Sequence, residues 1–313
     1  MSAWRPLSAD NAPKDGEMTA PLETFGGPAF EVTRAARAGI PPPTALVFAS
    51  PHSGGIYPED MIAAARLPVE TLRASEDAFV DQIIAGAPAL GASVIRARLA
   101  RAYVDLNREP WELDPSMFAE TLPDYAHGRS ARVAAGLGTI PRIAGEGRPI
   151  YARKLTFAEA RARVELTHRP YHDALDRQLA AARAAHGAAI LIDWHSMPAA
   201  AAHGQRARNG GPCDIVLGDR FGAACSPKLT GLVERELETL GYRVVRNAPY
   251  AGGYTTEHYG RPARRTHALQ IEINRALYMN ETTREPTEGL ARLTADAASL
   301  TRVLAALDLA ELR

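Results

Sequence analysis

Residues 190–197 read ILIDWHSM, and they constrain the fold more than any other part of the chain. The apolar first half has no polar side to turn toward water, so it reads as a buried strand inside a sheet covered on both faces. Alternation along a strand puts Asp193 and His195 on one face and Trp194 on the other. An acid and an imidazole therefore arrive together at the end of a buried element, where an unpartnered charge is costly.

Similar apolar runs recur, separated by helical patterns. Segments 44–50, 92–96, 214–217, 242–247 and 268–273 read as strands, and 103–106 as a further short strand or extended turn. Helical spacing covers 69–87, 156–186, 227–240 and 288–307, with Pro170 as the place where the second could break. Strands alternating with helices predict an α/β fold, a mixed sheet flanked by helices on both faces. Residues 1–27 are polar and aperiodic and are expected to form a loosely ordered arm, with 28–313 as a single domain. The Pro- and Gly-rich stretch from 109 to 152 is expected to be a long functional loop.

The 36 basic and 36 acidic side chains cancel, which argues against a nucleic acid or a membrane surface as partner. No apolar run reaches the roughly 20 residues of a membrane span. The first residues lack the apolar core of a secretory signal, so a cytoplasmic protein is expected. Cys213 and Cys225 are too few for a disulfide framework and are expected as free thiols.

In open α/β sheets ligands sit beyond the carboxyl ends of the strands. Three runs end there in polar clusters: LVFASPHSGG delivers His52, ILIDWHSM delivers Asp193 and His195, and ALQIEINR delivers Glu272. One histidine at a strand end is most often structural, but three ionisable groups at three strand ends point to a site. Two imidazoles and one carboxylate would make a three-ligand zinc site with an open position. SEDAFVD offers Glu76, Asp77 and Asp81 for the carboxylate, at the start of the expected first long helix. An acidic first turn that complements the helix dipole is the alternative, and it suits Glu76 best.

SPHSG, EDAFVD, VDLNR, RPYH, DWHSM, GGYTTEHYGRP and QIEINRALYM, in this order over about residues 45–285, together resemble the N-formylglutamate amidohydrolase family. That family is similar in fold to zinc carboxypeptidases and aspartoacylases, with a phosphorylase/hydrolase-like core around one zinc. The resemblance implies hydrolysis of N-formyl-L-glutamate to formate and L-glutamate, the last step of one histidine-degradation route. It implies His52 and His195 as zinc ligands, Glu272 as the base for a zinc-bound water, and Asn107 with Arg108 as the pair that holds a substrate carboxylate. Carboxypeptidases place a Glu three residues after the first His, where this chain has Gly55. Asp77 is therefore taken as the third ligand in preference to Glu76 or Asp81.

Asp193 is expected to accept from a ligand imidazole and set its tautomer, with direct ligation as the alternative. The glycines and hydrogen-bonding side chains of GGYTTEHYGRP suit a loop that closes over a polar ligand. Thr255, His258 and Arg261 are accordingly expected to bind substrate, and Arg101 is a weaker candidate. His168, just before RPYH, and Tyr171 and His172 within it are expected to pack or hydrogen-bond in the core. The expected partner is a small N-acyl amino acid, with no oligomeric state specified. The other readings are a zinc deacylase of a different N-acyl amino acid and a silent dicarboxylate-binding protein.

Overall fold

The computed structural model describes residues 27–35, 43–126, 128–145, 147–205, 207 and 210–312. The expected N-terminal arm, apart from Gly27, lies outside the described residues. Nine strands are present among those described: β1 (Phe30–Thr33), β2 (Leu46–Ser50), β3 (Ser93–Ala97), β4 (Ile143–Ala144), β5 (Arg148–Pro149), β6 (Ala189–Met197), β7 (Ile215–Gly218), β8 (Val244–Arg246) and β9 (Thr266–Asn274). Seven of them form one sheet in the order β1-β3-β2-β6-β9-β7-β8, and β4 with β5 makes a separate ribbon. The central strands β3, β2, β6 and β9 run parallel, whereas β1 and β7 each pair antiparallel to a neighbour. This is the mixed α/β sheet that the sequence predicts.

Each face of the sheet carries its own core. On one face Val47, Ala49, Ala189, Leu191 and Ala268 pack with Tyr171, Ala174, Leu175, Leu179 and Ala182. Those last five lie at helical spacing along Arg169–His186, so one stripe of that helix covers this face. On the opposite face Ile190, Ile192, Trp194, Leu269 and Ile271 meet the helices Pro227–Thr239 and Gly289–Ala305 through Leu229, Val233, Leu293 and Leu300. The odd positions of β6 and the even positions of β9 thus share the face covered by Arg169–His186. Toward the carboxyl ends of these strands that face turns polar, with Asp193 and His195 on β6 and Gln270 and Glu272 on β9.

Several local expectations are corrected. Segment 69–87 is not one helix: Val69–Leu72 passes into a 3-10 turn, Arg73–Ser75, and a second short helix, Val80–Ile83, starts only after Phe79 at φ 66°. The break exists because the chain here is tied to the end of β2, where the Asp77 amide donates to the His52 carbonyl at 2.9 Å. Segment 103–106 forms turns rather than a strand. Helical structure runs unbroken from Phe157 to His186, with a π turn at Val164–His168 just before Pro170. The wider π turn accommodates a proline that has no N–H to donate. No helix among the described residues is long and apolar enough to cross a membrane. Cys213 and Cys225 are both free and buried.

Leu191 is fully buried beneath the helix Arg169–His186. Leu191→Ala is expected to lower stability by about 2–5 kcal/mol through lost burial and a residual cavity. A urea unfolding curve checks this: the midpoint should fall with little change in slope.

Candidate active site

The site is assembled from the carboxyl ends of three adjacent parallel strands. His52 lies two residues past the end of β2, His195 is near the end of β6, and Glu272 sits directly across from His195 in the β6/β9 register. Asp77 comes from the break between the two short helices. His52, Asp77 and His195 are all buried, with relative exposures of 2%, 1% and 2%.

Three donor atoms converge. His195 Nδ1 is 3.0 Å from His52 Nδ1 and 3.1 Å from Asp77 Oδ2, and His52 Nδ1 is 3.5 Å from the same oxygen. The far nitrogen of each ring is committed: His52 Nε2 lies 2.7 Å from Asp105 Oδ1, and His195 Nε2 lies 3.0 Å from Asp193 Oδ2. A carboxylate on Nε2 selects the tautomer that carries its proton there, which aims the Nδ1 lone pair of each ring at the other and at Asp77. Three lone pairs so placed repel unless a positive charge lies among them.

The electrostatics point the same way. Burial opposes ionisation of Asp77, but the His195 and His52 rings, once a proton lies among the three groups, and the charge of Arg275 outweigh it and hold the carboxyl well below its usual range. Burial likewise opposes protonation of His195, yet the carboxylates of Asp193 and Asp77 push its pKa well above the ordinary value. The cluster therefore attracts a cation, either a proton or a metal. These are the donors that could hold a metal ion. Adjacent ligands of a tetrahedral zinc lie about 3.3 Å apart, given bonds of about 2.0–2.1 Å, and the three edges found here bracket that spacing.

The cluster opens into a cavity of about 660 Å³ that Glu272 also lines. Burial raises the Glu272 carboxyl to about 7, with His195 opposing the shift and Asp77 adding to it. Gln270 Nε2 donates to Glu272 Oε1 at 2.8 Å, and Gln270 is itself oriented by the Gly253 amide, which donates to its Oε1 at 2.8 Å. Gly253 has to be glycine on steric grounds: a Cβ there would fall 2.4 Å from Asn107 Nδ2.

The chain belongs to the N-formylglutamate amidohydrolase family.

The model of that family, described as N-formylglutamate amidohydrolase, matches residues 44–279. This family member is 33% identical over 244 residues to N-formylglutamate deformylase of Pseudomonas putida, covering 76% of this chain and 82% of that protein. It is 32% identical over 241 residues to the N-formylglutamate deformylase of Pseudomonas aeruginosa, covering 75% and 82%. The crystal structure of N-formylglutamate amidohydrolase from Ralstonia eutropha JMP134 aligns with a TM-score of 0.81 and 40% identity, over 88% of this chain and 97% of that one. A gene product of Agrobacterium tumefaciens, with a TM-score of 0.61 at 18% identity over 87% and 92%, shares the fold.

The remaining candidates separate into those that reach the cavity and those that do not. Asn107 and Arg108 line it. The Asn107 amide is already engaged, however, with Nδ2 3.1 Å from His195 Nε2 and Oδ1 accepting from the Thr255 amide at 2.8 Å. Thr255, His258 and Arg261 are not among the cavity residues. Their segment is neither a hairpin nor an open loop, because Tyr254–Tyr259 is a helix that buries Thr255, Thr256 and Tyr259. His258 stacks on Tyr254, and Arg261 donates to the Glu257 and Gly260 carbonyls. Glu76 takes up Tyr57 and Arg73, and Asp81 pairs with Arg96, so both alternatives to Asp77 point away from the histidines.

Sequence reasoning missed Asp105 and Arg275. Asp105 orients His52, and Arg275 Nη2 binds Asp77 Oδ1 at 2.9 Å. Both lie inside quoted motifs, VDLNR and QIEINRALYM, but only the tertiary fold shows what they touch. Arg101 sits between the two acids, 2.7 Å from Asp105 and 4.0 Å from Asp77.

Asp105→Asn and Asp193→Asn should each weaken metal affinity by about 10–100-fold, because the amide can no longer enforce the tautomer. Competition with a chromophoric chelator measures this, and unchanged affinity in both variants would refute the orienting role.

Proposed function

We propose that this chain hydrolyses the formamide of N-formyl-L-glutamate to formate and L-glutamate, using a divalent metal held by His52, His195 and Asp77. The observation that carries this reading is the convergence of two imidazole nitrogens and a carboxylate oxygen beside Glu272 in one cavity. Relatives named N-formylglutamate deformylase support the choice of substrate. Two nitrogens and one oxygen suit zinc among the common divalent ions.

A formamide is a weak electrophile and water a weak nucleophile at neutral pH. A zinc ion, when bound, supplies Lewis acidity that polarises a carbonyl oxygen and lowers the pKa of water to about 7. The protein's own groups move the protons. Glu272 accepts a proton from the attacking water as its oxygen bonds to the formyl carbon, and delivers it to nitrogen as the C–N bond breaks. The amine therefore never leaves as an anion. Gln270 holds one Glu272 oxygen, which directs the other toward the reacting atoms.

Arg108 is the cation for a substrate carboxylate. Its Nε and Nη1 donate to the Leu137 and Asn107 carbonyls, each at 2.8 Å, so the guanidinium is held rigidly at the cavity wall. A planar fork held in place matches a carboxylate better than a mobile ammonium would. Asn107 serves the site differently, donating from Nδ2 to Asp193 Oδ2 at 3.4 Å and accepting at Oδ1 from the Thr255 amide, rather than by touching substrate.

Glu272→Gln is expected to reduce kcat by at least about 10²–10⁴-fold with little change in KM. In the wild type, kcat/KM should rise with pH on the acid side as Glu272 loses its proton. A bound cation stabilises the carboxylate, so this limb should lie below about 7. It should be absent from the residual activity of Glu272→Gln. Formate release followed across pH, with and without a chelator, tests these expectations together, and a variant with wild-type kcat would remove Glu272 as the base.

A further inference from the structure

Among the described residues five arginines line the cavity: Arg101, Arg108, Arg132, Arg220 and Arg275. Three are neutralised by acids, Arg101 by Asp105 at 2.7 Å, Arg275 by Asp77 at 2.9 Å and Arg220 by Glu257 at 3.1 Å. Arg108 is anchored on two backbone carbonyls and has no acid against it. The Arg132 side chain has no hydrogen bond or ion pair with any described residue, although the residue is half-buried. Among the described residues, Arg108 and Arg132 are thus the two cavity guanidiniums with no carboxylate at ion-pair distance.

The local structure accounts for this isolation. Arg132 lies on the short helix Ala131–Ala134, capped by the Ser130 hydroxyl, which accepts from the Val133 amide. Glu112, the acid packed beneath the cap, accepts the Ser130 hydroxyl proton. Asp114 is taken by Arg142 at 2.8 Å. The two acids of this wall are therefore engaged by other groups. Burial and the charges of Arg101 and Arg132 lower the Arg108 pKa against the pull of Asp105 and Glu112. Guanidinium groups that repel each other across a polar cavity are stabilised by an anion between or beside them.

We propose that Arg132 is the specificity-determining residue for a second carboxylate, so that the cavity selects acidic N-acyl amino acids with two carboxylates over those with one. This rests on the hydrolytic reading above and adds the residue that distinguishes the substrate class. One carboxylate sits on Arg108, which lines the same cavity as His52 and His195, and the other is held by Arg132. Two free cations match the two negative charges of an N-acyl dicarboxylic amino acid.

N-formylglutamate and N-formylglutamine are nearly isosteric and differ by one charge, so they isolate this contact. Because the Arg132 side chain has no partner among the described residues to orphan, Arg132→Gln should fold like the wild type, which circular dichroism and the unfolding midpoint check. Losing a charge-assisted contact should raise KM for N-formylglutamate by about 10–100-fold, leave kcat nearly unchanged, and leave N-formylglutamine turnover unchanged. Arg132→Lys, which keeps the charge, should recover part of the loss. Equal effects on both substrates, or none on N-formylglutamate, would overturn the proposal.

Calorimetric binding of glutarate and butyrate to the metal-loaded protein separates this proposal from the hydrolytic one. Glutarate affinity that falls in Arg132→Gln while butyrate affinity holds supports the subsite even if no formate is released, in which case the hydrolytic reading fails alone. Glutarate affinity unchanged by the substitution rejects the subsite whatever the activity.

Discussion

The site depends on the register between β6 and β9. Nine residue pairs run from Ala189 opposite Thr266 to Met197 opposite Asn274, and every residue of both strands is buried. This pairing sets Asp193 beside Gln270 and His195 beside Glu272 on the face covered by Arg169–His186. A slip of β6 by one residue would turn Asp193 and His195 into the apolar layer on the other face and bring Trp194 into the cavity. The hydrophobic pattern that forbids the slip is therefore also what holds the chemistry in place. Ile190, Ile192, Leu269 and Ile271 fit only the opposite core.

Burying so many ionisable groups is tolerable because each carboxylate has its own cation or imidazole. Asp105 takes His52 and Arg101, Asp77 takes Arg275 and both rings, and Asp193 takes His195. Removing one partner from such a network strands a charge, and the cost is several kcal/mol rather than that of one surface contact. Asp193 shows the limit of the arrangement, since its Oδ1 is buried with no hydrogen-bond partner among the described residues. Glu272 is the exception among the acids, because it faces no guanidinium at ion-pair distance among the described residues, and burial keeps its proton affinity high.

The extent to which this could be read from the chain follows from which contacts are local. Alternation within one strand is local, so the shared face of Asp193 and His195 was legible, as was the α/β layering from apolar runs separated by helical spacing. The orienting role of Asp193 was also accessible, because it sits two residues from His195. Asp77 needed the family resemblance, and its helical setting was misread: apolar spacing over 69–87 hides a break imposed by the Asp77 amide reaching the His52 carbonyl. Asp105 and Arg275 act on residues 53 and 198 positions away, beyond any local pattern. GGYTTEHYGRP misled for a related reason. Its glycines provide close approach, with Gly253 against Asn107, and the side chains after them lie on a short helix that buries Thr255, Thr256 and Tyr259 and keeps His258 outside the cavity lining.

RPYH and the His168 before it, which the metal-ligand cluster does not use, explain how the turn at 105–108 stays rigid although it is not a strand. His168 Nε2 lies 2.8 Å from the Arg108 carbonyl, and His172 Nε2 lies 2.8 Å from the Leu106 carbonyl. Burial drives the pKa of His168 down to about 4 and that of His172 well below its ordinary value, so both rings stay neutral and donate a single N–H each. The Tyr259 hydroxyl lies 3.0 Å from His172 Nδ1 and 3.1 Å from the His172 carbonyl, two acceptors that share its one proton. The two carbonyls so held flank Asn107, and Asp105 is held from within by the Asn107 amide at 2.9 Å. The long helix that covers the sheet through Leu175 and Leu179 thus also grips, at its amino end, the segment that aims His52 and steadies His195. Placing these partners on a packed helix rather than on a free loop keeps two imidazoles oriented to within the tolerance that metal ligation requires.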